Sequence, residues 1–137
     1  MAEFSDFYEN KIIDHMLRAV AYTVPTVYVA LFTAITGLEA NNPTAEVSFS
    51  GTAYARQVAG LSLASGGASS NAADIVFPTA SANWGTITYV ALVDHATNVT
   101  WGSNVNVLMW SILDASKTVN SGDTFKINQY DLDVTVD

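Results

Sequence analysis

The sequence predicts an all-β domain with one N-terminal helix, arranged as a two-sheet antiparallel sandwich of jelly-roll or Greek-key type with about eight strands. Three observations carry this expectation. Apolar residues repeat at helical spacing only near the N-terminus. After Pro25 they follow the period-two pattern of strands. Glycine, asparagine and proline then punctuate the chain at roughly the 8–12-residue spacing of all-β folds, with no helical stretches between them, which sets aside a parallel α/β sheet.

Tyr8, Ile12, Ile13, Met16, Leu17 and Val20 follow one helical face, while Glu9, Lys11, Asp14, His15 and Arg18 lie largely elsewhere. Such a face must be covered. Asp6 with Glu9 resembles a capping box, Ser5 is an equally good cap, and Phe4 is placed to staple onto the next turn. Pro25 closes the other end, so the helix is expected over about residues 5–21. Asp14 and Arg18, four apart in acid-first order, form a surface pair. At about 25 Å the helix is too short, and too charged, to cross a bilayer. Its apolar face is expected to lie on the sandwich, to cap a subunit interface, or both.

Thr26 to Ile35 is apolar on both faces and reads as a central strand. Thr36 to Gly51, with Gly37, Asn41, Asn42 and Pro43, is a long loop or short hairpin. Ala53 to Ala64 is a strand that bends at Gly60. Ser65 to Asn71 is a flexible turn, and Ala73 to Phe77 a short strand ended by Pro78. Trp84 to Asp94 is a second central strand, followed by a turn around Asp94 to Asn98. Val99 to Trp101 and Val105 to Leu113 make one bent strand or two short ones, split at Gly102, Ser103 and Asn104. Ser116 to Val119 and Thr124 to Asn128 form a hairpin about Asn120-Ser-Gly-Asp123, and Leu132 to Val136 is the last strand. With no repeat and no linker, residues 1–137 read as a single domain, large enough to bury a core unaided.

The absence of cysteine excludes a disulfide scaffold, a thiol nucleophile and cysteine-ligated metals. Net charge is −8, with bases only at Lys11, Arg18, Arg56, Lys117 and Lys126 and no basic run, so no direct nucleic acid binding is expected. Charged residues make up 13% of the chain against the roughly 25% typical of soluble domains, which implies surface buried by partners. Glu3, Asp6 and Glu9 stand where a signal peptide would be basic and apolar, so cytoplasmic synthesis is expected, with no membrane contact.

The sequence offers little chemistry. His15 and His95 are too few for a nitrogen-ligated metal centre. Asp131 and Asp133 with Asp137 resemble an oxygen-rich calcium corner but lack the glycine-containing loop that wraps the cation. Asp74, Asp94, Asp114 and Asp123 are candidates for a glycosidase carboxylate pair, as in any acidic β-protein, and no Gly-x-Ser-x-Gly elbow is present. No catalytic residue, metal or cofactor is expected. Trp84, Trp101 and Trp110, with Tyr54 and Tyr89, fit either a lectin-like groove or a core. Asn98-Val-Thr100 matches a glycosylation acceptor, incidental without secretion.

The stretch Phe4-Ser-Asp-Phe-Tyr-Glu-Asn-Lys-Ile-Ile-Asp-His-Met-Leu-Arg18 resembles the opening of a family of small tailed-bacteriophage virion structural proteins, variously labelled head decoration (cement), minor structural or tail fibre proteins. Val27-Tyr-Val-Ala-Leu-Phe-Thr33, Tyr54-Ala-Arg56, Val76-Phe-Pro-Thr79, Trp84-Gly-Thr86 and Lys117-Thr-Val-Asn-Ser-Gly-Asp-Thr-Phe125 extend the resemblance over nearly the whole chain. Val105 to Ser111 departs from it, with Met109 and Trp110 where a shorter, more polar connection is expected. The resemblance implies a non-enzymatic β-sandwich virion subunit that forms a homotrimer. Its expected place is the capsid surface, as a head decoration protein bound to the major capsid protein. The alternatives are a tail fibre or baseplate subunit and a carbohydrate-binding module that recognises a host surface. On this reading Phe4 and Phe7 anchor the N-terminal arm on a neighbour, and Lys11, Asp14, His15 and Arg18 fix contacts within or between protomers.

Overall fold

The computed structural model describes residues 3–136. Within them lie one helix, α1 (Asp6–Leu17), and nine strands: β1 (Glu3–Phe4), β2 (Tyr28–Phe32), β3 (Gln57–Val58), β4 (Ala68–Ser70), β5 (Ile75–Val76), β6 (Gly85–Val93), β7 (Val107–Val119), β8 (Lys126–Ile127) and β9 (Asp133–Thr135). The expected class holds: mostly β, antiparallel, with one N-terminal helix. The main sheet has five strands in the order β1-β7-β6-β2-β3. Facing it are two ribbons, β4-β9 and β5-β8, where the sandwich reading expected a full second sheet.

Strands β2 and β6 are central, as their two apolar faces require. They pair in register from Tyr28↔Val93 to Phe32↔Tyr89. Successive residues point to opposite sides of the sheet, so each strand feeds two cores. On one side Val29, Leu31, Val90 and Leu92 meet Ile75, Phe77, Trp84 and Phe125. On the other, Ala30, Phe32, Ala91 and Val93 meet Leu38, Val105, Val107 and Trp110. The first core is aromatic: Tyr54 and Phe77 stack at 6.2 Å, while Trp84 and Phe125 present edges at 5.4 and 5.5 Å. Trp84 Nε1 donates to the Thr52 carbonyl at 2.9 Å, which satisfies its one polar atom.

Three local expectations are corrected. The expected split at Gly102, Ser103 and Asn104 is a turn closed by a Trp101–Val105 bridge, but residues 99–101 form no strand and β7 runs unbroken from Val107 to Val119, past the expected end at Leu113. Its far end pairs with β6, Gly85↔Val119 and Thr86↔Thr118, so residues 116–119 do not form a hairpin with 124–128; Lys126 and Ile127 pair instead with Val76 and Ile75. A large bulge makes this possible. Between the pairs Ile87↔Lys117 and Tyr89↔Ile112, Thr88 alone faces Leu113 to Ser116, so the turn-like Asp114-Ala-Ser116 is absorbed without ending the ladder. Residues 65–71, expected to be only a turn, contain β4, which pairs with β9. Gly67 there has φ +78°, and a Cβ on it would lie 2.9 Å from the Val136 carbonyl.

The long loops are held by a buried guanidinium. Arg56 donates from Nε to Glu46 Oε1 and from Nη2 to Glu46 Oε2, both at 2.7 Å, and from Nη1 to the carbonyls of His95 and Asn98, both at 2.9 Å. Its side chain is fully buried between the rings of Phe49 and Trp101, 5.1 and 5.0 Å away. Tyr54 completes the cluster: its hydroxyl donates to Glu46 Oε1 at 3.0 Å and accepts the Leu31 N–H at 3.0 Å. Burial, and then the nearby Glu46 carboxylate, hold the Tyr54 hydroxyl well above its ordinary pKa.

Two outcomes follow from this cluster. Arg56→Ala leaves the Glu46 carboxylate without its counter-charge, and denaturant unfolding should show a loss of about 3–5 kcal/mol. Tyr54 keeps its proton more tightly folded than unfolded, so its contribution is complete below about pH 10 and falls as pH rises through the folded value. Tyr54→Phe should flatten that alkaline decline while costing about 1–3 kcal/mol at neutral pH, because the Leu31 N–H loses its acceptor; an unchanged alkaline profile would contradict the assignment.

Candidate functional site

The start of α1 is fixed by Ser5, which is fully buried. Its hydroxyl accepts the Tyr8 N–H at 3.3 Å as the helix cap and donates to the Val107 carbonyl. The Ser5 and Asp6 N–H groups donate to the carbonyls of Leu108 and Glu39, each at 3.0 Å, and β1 pairs with β7 through Glu3↔Trp110 and Phe4↔Met109. Of the two caps the sequence offers, Ser5 is the one used. Phe4 lies edge-on to Tyr8 at 5.7 Å, and Phe4, Phe7 and Tyr8 pack half-buried against the aromatic core. Lys11 Nζ sits 5.5 Å from the Phe7 ring.

The helix ends sooner than expected, at Leu17 instead of residue 21. The N–H groups of Arg18 and Val20 both donate to the Asp14 carbonyl at 3.1 Å, while Ala19 takes φ +56°, a Schellman-type stop. Pro25 therefore lies well beyond the true end. Asp14, His15 and Arg18 gather at this terminus. Arg18 Nη1 donates to Asp14 Oδ1 at 2.9 Å on the surface, and His15 Nδ1 donates to the Val20 carbonyl at 3.1 Å. Lys11 stays apart from them, over Phe7. Farther on, the Tyr22 ring returns to Tyr8 at 6.0 Å, and burial, aided by Tyr8 and Asp94, raises its hydroxyl pKa.

The side of α1 that packs on the domain is that of Phe7 and Tyr8, with Lys11 and Ile12 half-buried a turn farther on. Helical spacing carries that side on to Asp14, His15 and Arg18, which are polar and cannot extend an apolar contact. The apolar residues consequently face out. Ile13 is 52% exposed, Met16 73% and Leu17 78%, with Val20 and Val24 also open, and no residue of α1 is fully buried. Hydrophobic periodicity groups Tyr8 to Val20 on one face; the structure divides it, with Tyr8 turned in, Ile13, Met16 and Leu17 left as a solvent-facing stripe, and Val20 exposed just past the helix end.

Most of the remaining candidates serve the fold. Tyr54, Trp84 and Trp110 are buried, Trp101 covers Arg56, and Tyr89 lies 6.1 Å from Trp110, so these five do not build a lectin-like groove. Asp94 accepts from the Asn106 backbone and side chain, Asp123 from the Asn120 N–H, and His95 Nδ1 from the N–H groups of Thr97 and Asn98. Asp74 accepts the Gln129 N–H and pairs with Lys126, which lowers its pKa. Asp137 of the calcium reading lies outside the described residues, and among those described no three His, Asp or Glu side chains converge on a metal position.

A small β domain whose polar side chains bind its own turns and loops, and whose helix turns an apolar stripe to solvent, is a structural subunit suited to assembly. Over residues 3–135 the chain matches the family of the podophage GP4 fiber I protein gp80, and it belongs to that family. It is a phage virion component of the fibre class, without enzymatic activity. No curated protein matches it. The family corrects the head-decoration expectation in favour of the fibre alternative, and the expected major capsid protein gives way to virion components not further specified.

The helix end has a direct test. Ala19 holds an exposed left-handed conformation that glycine adopts without penalty, so Ala19→Gly should stabilise the fold by roughly 1 kcal/mol and raise the Tm. A lowered Tm would contradict this terminus.

Proposed function

We propose that the chain is a tail-fibre subunit that acts as one domain over its whole length and assembles as a homotrimer through the outer side of α1. The observation that carries this reading is the stripe Ile13, Met16 and Leu17, large side chains at i, i+3 and i+4 that the domain itself leaves uncovered, with exposed Val20 just beyond the helix end. Around a common axis, three copies bury these stripes against one another as in a short helical bundle. Asp14 and Arg18, already an acid–base pair at the rim of the stripe, are placed to exchange partners between protomers. Phe4 and Phe7 support the assembly indirectly, because they seat the helix on its own domain and set the angle at which the stripe is presented. The low charge density fits a surface that is not meant to stay solvated.

Light scattering on purified protein tests the assembly. The wild-type chain, 14.6 kDa as a monomer, should show three times that mass. Because Met16 and Leu17 are exposed, the double variant Met16→Glu/Leu17→Glu should keep the wild-type circular dichroism spectrum and run as a monomer. A variant that retains the trimer mass would overturn the proposed interface.

A further inference from the structure

The aromatic side chain that the fold most conspicuously leaves in the open is Tyr130, 61% exposed. It lines a cleft of about 650 Å³ between the bulged part of β7 and the segment that carries β8 and β9. That volume lies in the range of roughly 300–1,000 Å³ occupied by small-molecule sites. Buried Phe125 and the more open Ile112, Asp114, Lys117 and Asp133 line it as well. Among the described residues, the Tyr130 hydroxyl and the carboxylates of Asp114 and Asp133 have no hydrogen-bond partner in the protein, while Lys117 Nζ donates to the Thr124 carbonyl at 3.3 Å.

Both walls are preorganised. Fully buried Asn71 accepts the Leu132 N–H on Oδ1 at 2.9 Å, donates from Nδ2 to the carbonyls of Ala73 and Asn128 at 2.8 Å, and takes the Tyr130 N–H on its own carbonyl at 3.1 Å. These bonds hold Tyr130 at φ +69°, a region a bulky side chain rarely adopts and glycine adopts freely. Tyrosine is therefore costly for the backbone here, and most of its ring lies open to solvent. The facing wall is the β7 bulge, which re-aims Asp114 out of the regular ladder.

We propose that this cleft binds a neutral, hydroxyl-rich saccharide. An exposed aromatic face offers a platform for the C–H side of a pyranose ring, and carboxylates without partners accept paired hydrogen bonds from neighbouring hydroxyls. A purely apolar ligand would strip water from Asp114 and Asp133 without replacing it. An acidic sugar or a phosphate would meet those carboxylates and Asp131 with Lys117 as the counter-charge, since Lys126 is engaged by Asp74 at 3.1 Å. The proposal is independent of the helix-mediated assembly.

The test is an NMR titration of the full chain, in its own oligomeric state, with cellotetraose, maltotetraose, mannotetraose, chitotetraose and a rhamnose trisaccharide, and with an oligogalacturonate as the acidic probe. At least one neutral probe should shift the amide signals of residues 111–117 and 130–133 saturably, and more strongly than the oligogalacturonate. Tyr130→Gly, which relieves the backbone while removing the ring, should raise the Tm and weaken binding at least tenfold. The site is overturned if no neutral probe shifts these amides at millimolar concentration, if the acidic probe binds more tightly, or if folded Tyr130→Gly binds like wild type.

Discussion

Arg56 is the constraint on which the rest of the structure depends. Strands of two or three residues, such as β3, β5 and β8, carry too few ladder hydrogen bonds to fix the long stretches between them. A single guanidinium with four of its N–H groups engaged ties residue 46 and the turn at 95–98 to the stretch entering β3, and the flanking rings of Phe49 and Trp101 keep water from the pair. Buried Asn71 does the same for residues 128–132. Asn41 does so for the loop after β2, with Nδ2 on Asn106 Oδ1 at 2.8 Å and Oδ1 receiving the Val107 N–H at 2.7 Å. Where the second layer lacks strands, buried and multiply hydrogen-bonded polar side chains stand in for them.

This arrangement makes the domain rigid around its loops and leaves α1 as the element with the least intramolecular support. The helix is bolted at its first turn by Ser5, Phe4 and Phe7, and it turns its remaining apolar residues to water. Exposed large apolar side chains in a contiguous run mark association surfaces. For a member of a fibre family, whose function is to be joined to other virion components, the uncovered stripe is the part of the molecule that the domain does not complete by itself.

Much of this was legible beforehand, for identifiable reasons. The central strands β2 and β6 show in the sequence because residues on both faces are apolar, and the helix shows because its period is unlike anything after it. The course of β7 was not legible, since Asp114-Ala-Ser116 looks like a turn and only pairing with β6 reveals it as a bulge. The ribbon partners were hidden for the same reason: β4 and β8 are specified by strands far away in the chain. The buried side of α1 was misplaced because hydrophobicity alone centres it near Ile12 and Met16, whereas the packing contact is made by Phe7 and Tyr8 at the first turn. Tyr130 carried no signal at all, because a left-handed tyrosine is recognisable only from its backbone.

The central claim is that copies of the chain meet through the outer side of α1, and the absence of cysteine makes it open to a direct measurement. With Leu17→Cys as the single thiol, mild oxidation of the assembled protein should give a covalent dimer in high yield, while Ser121→Cys, in an exposed turn of the β domain, should remain uncrosslinked. Cross-linking at Leu17 with none at Ser121 is expected for an interface on the outer side of α1; a fully assembled Leu17→Cys protein that stays free of covalent dimer after oxidation would rule that interface out.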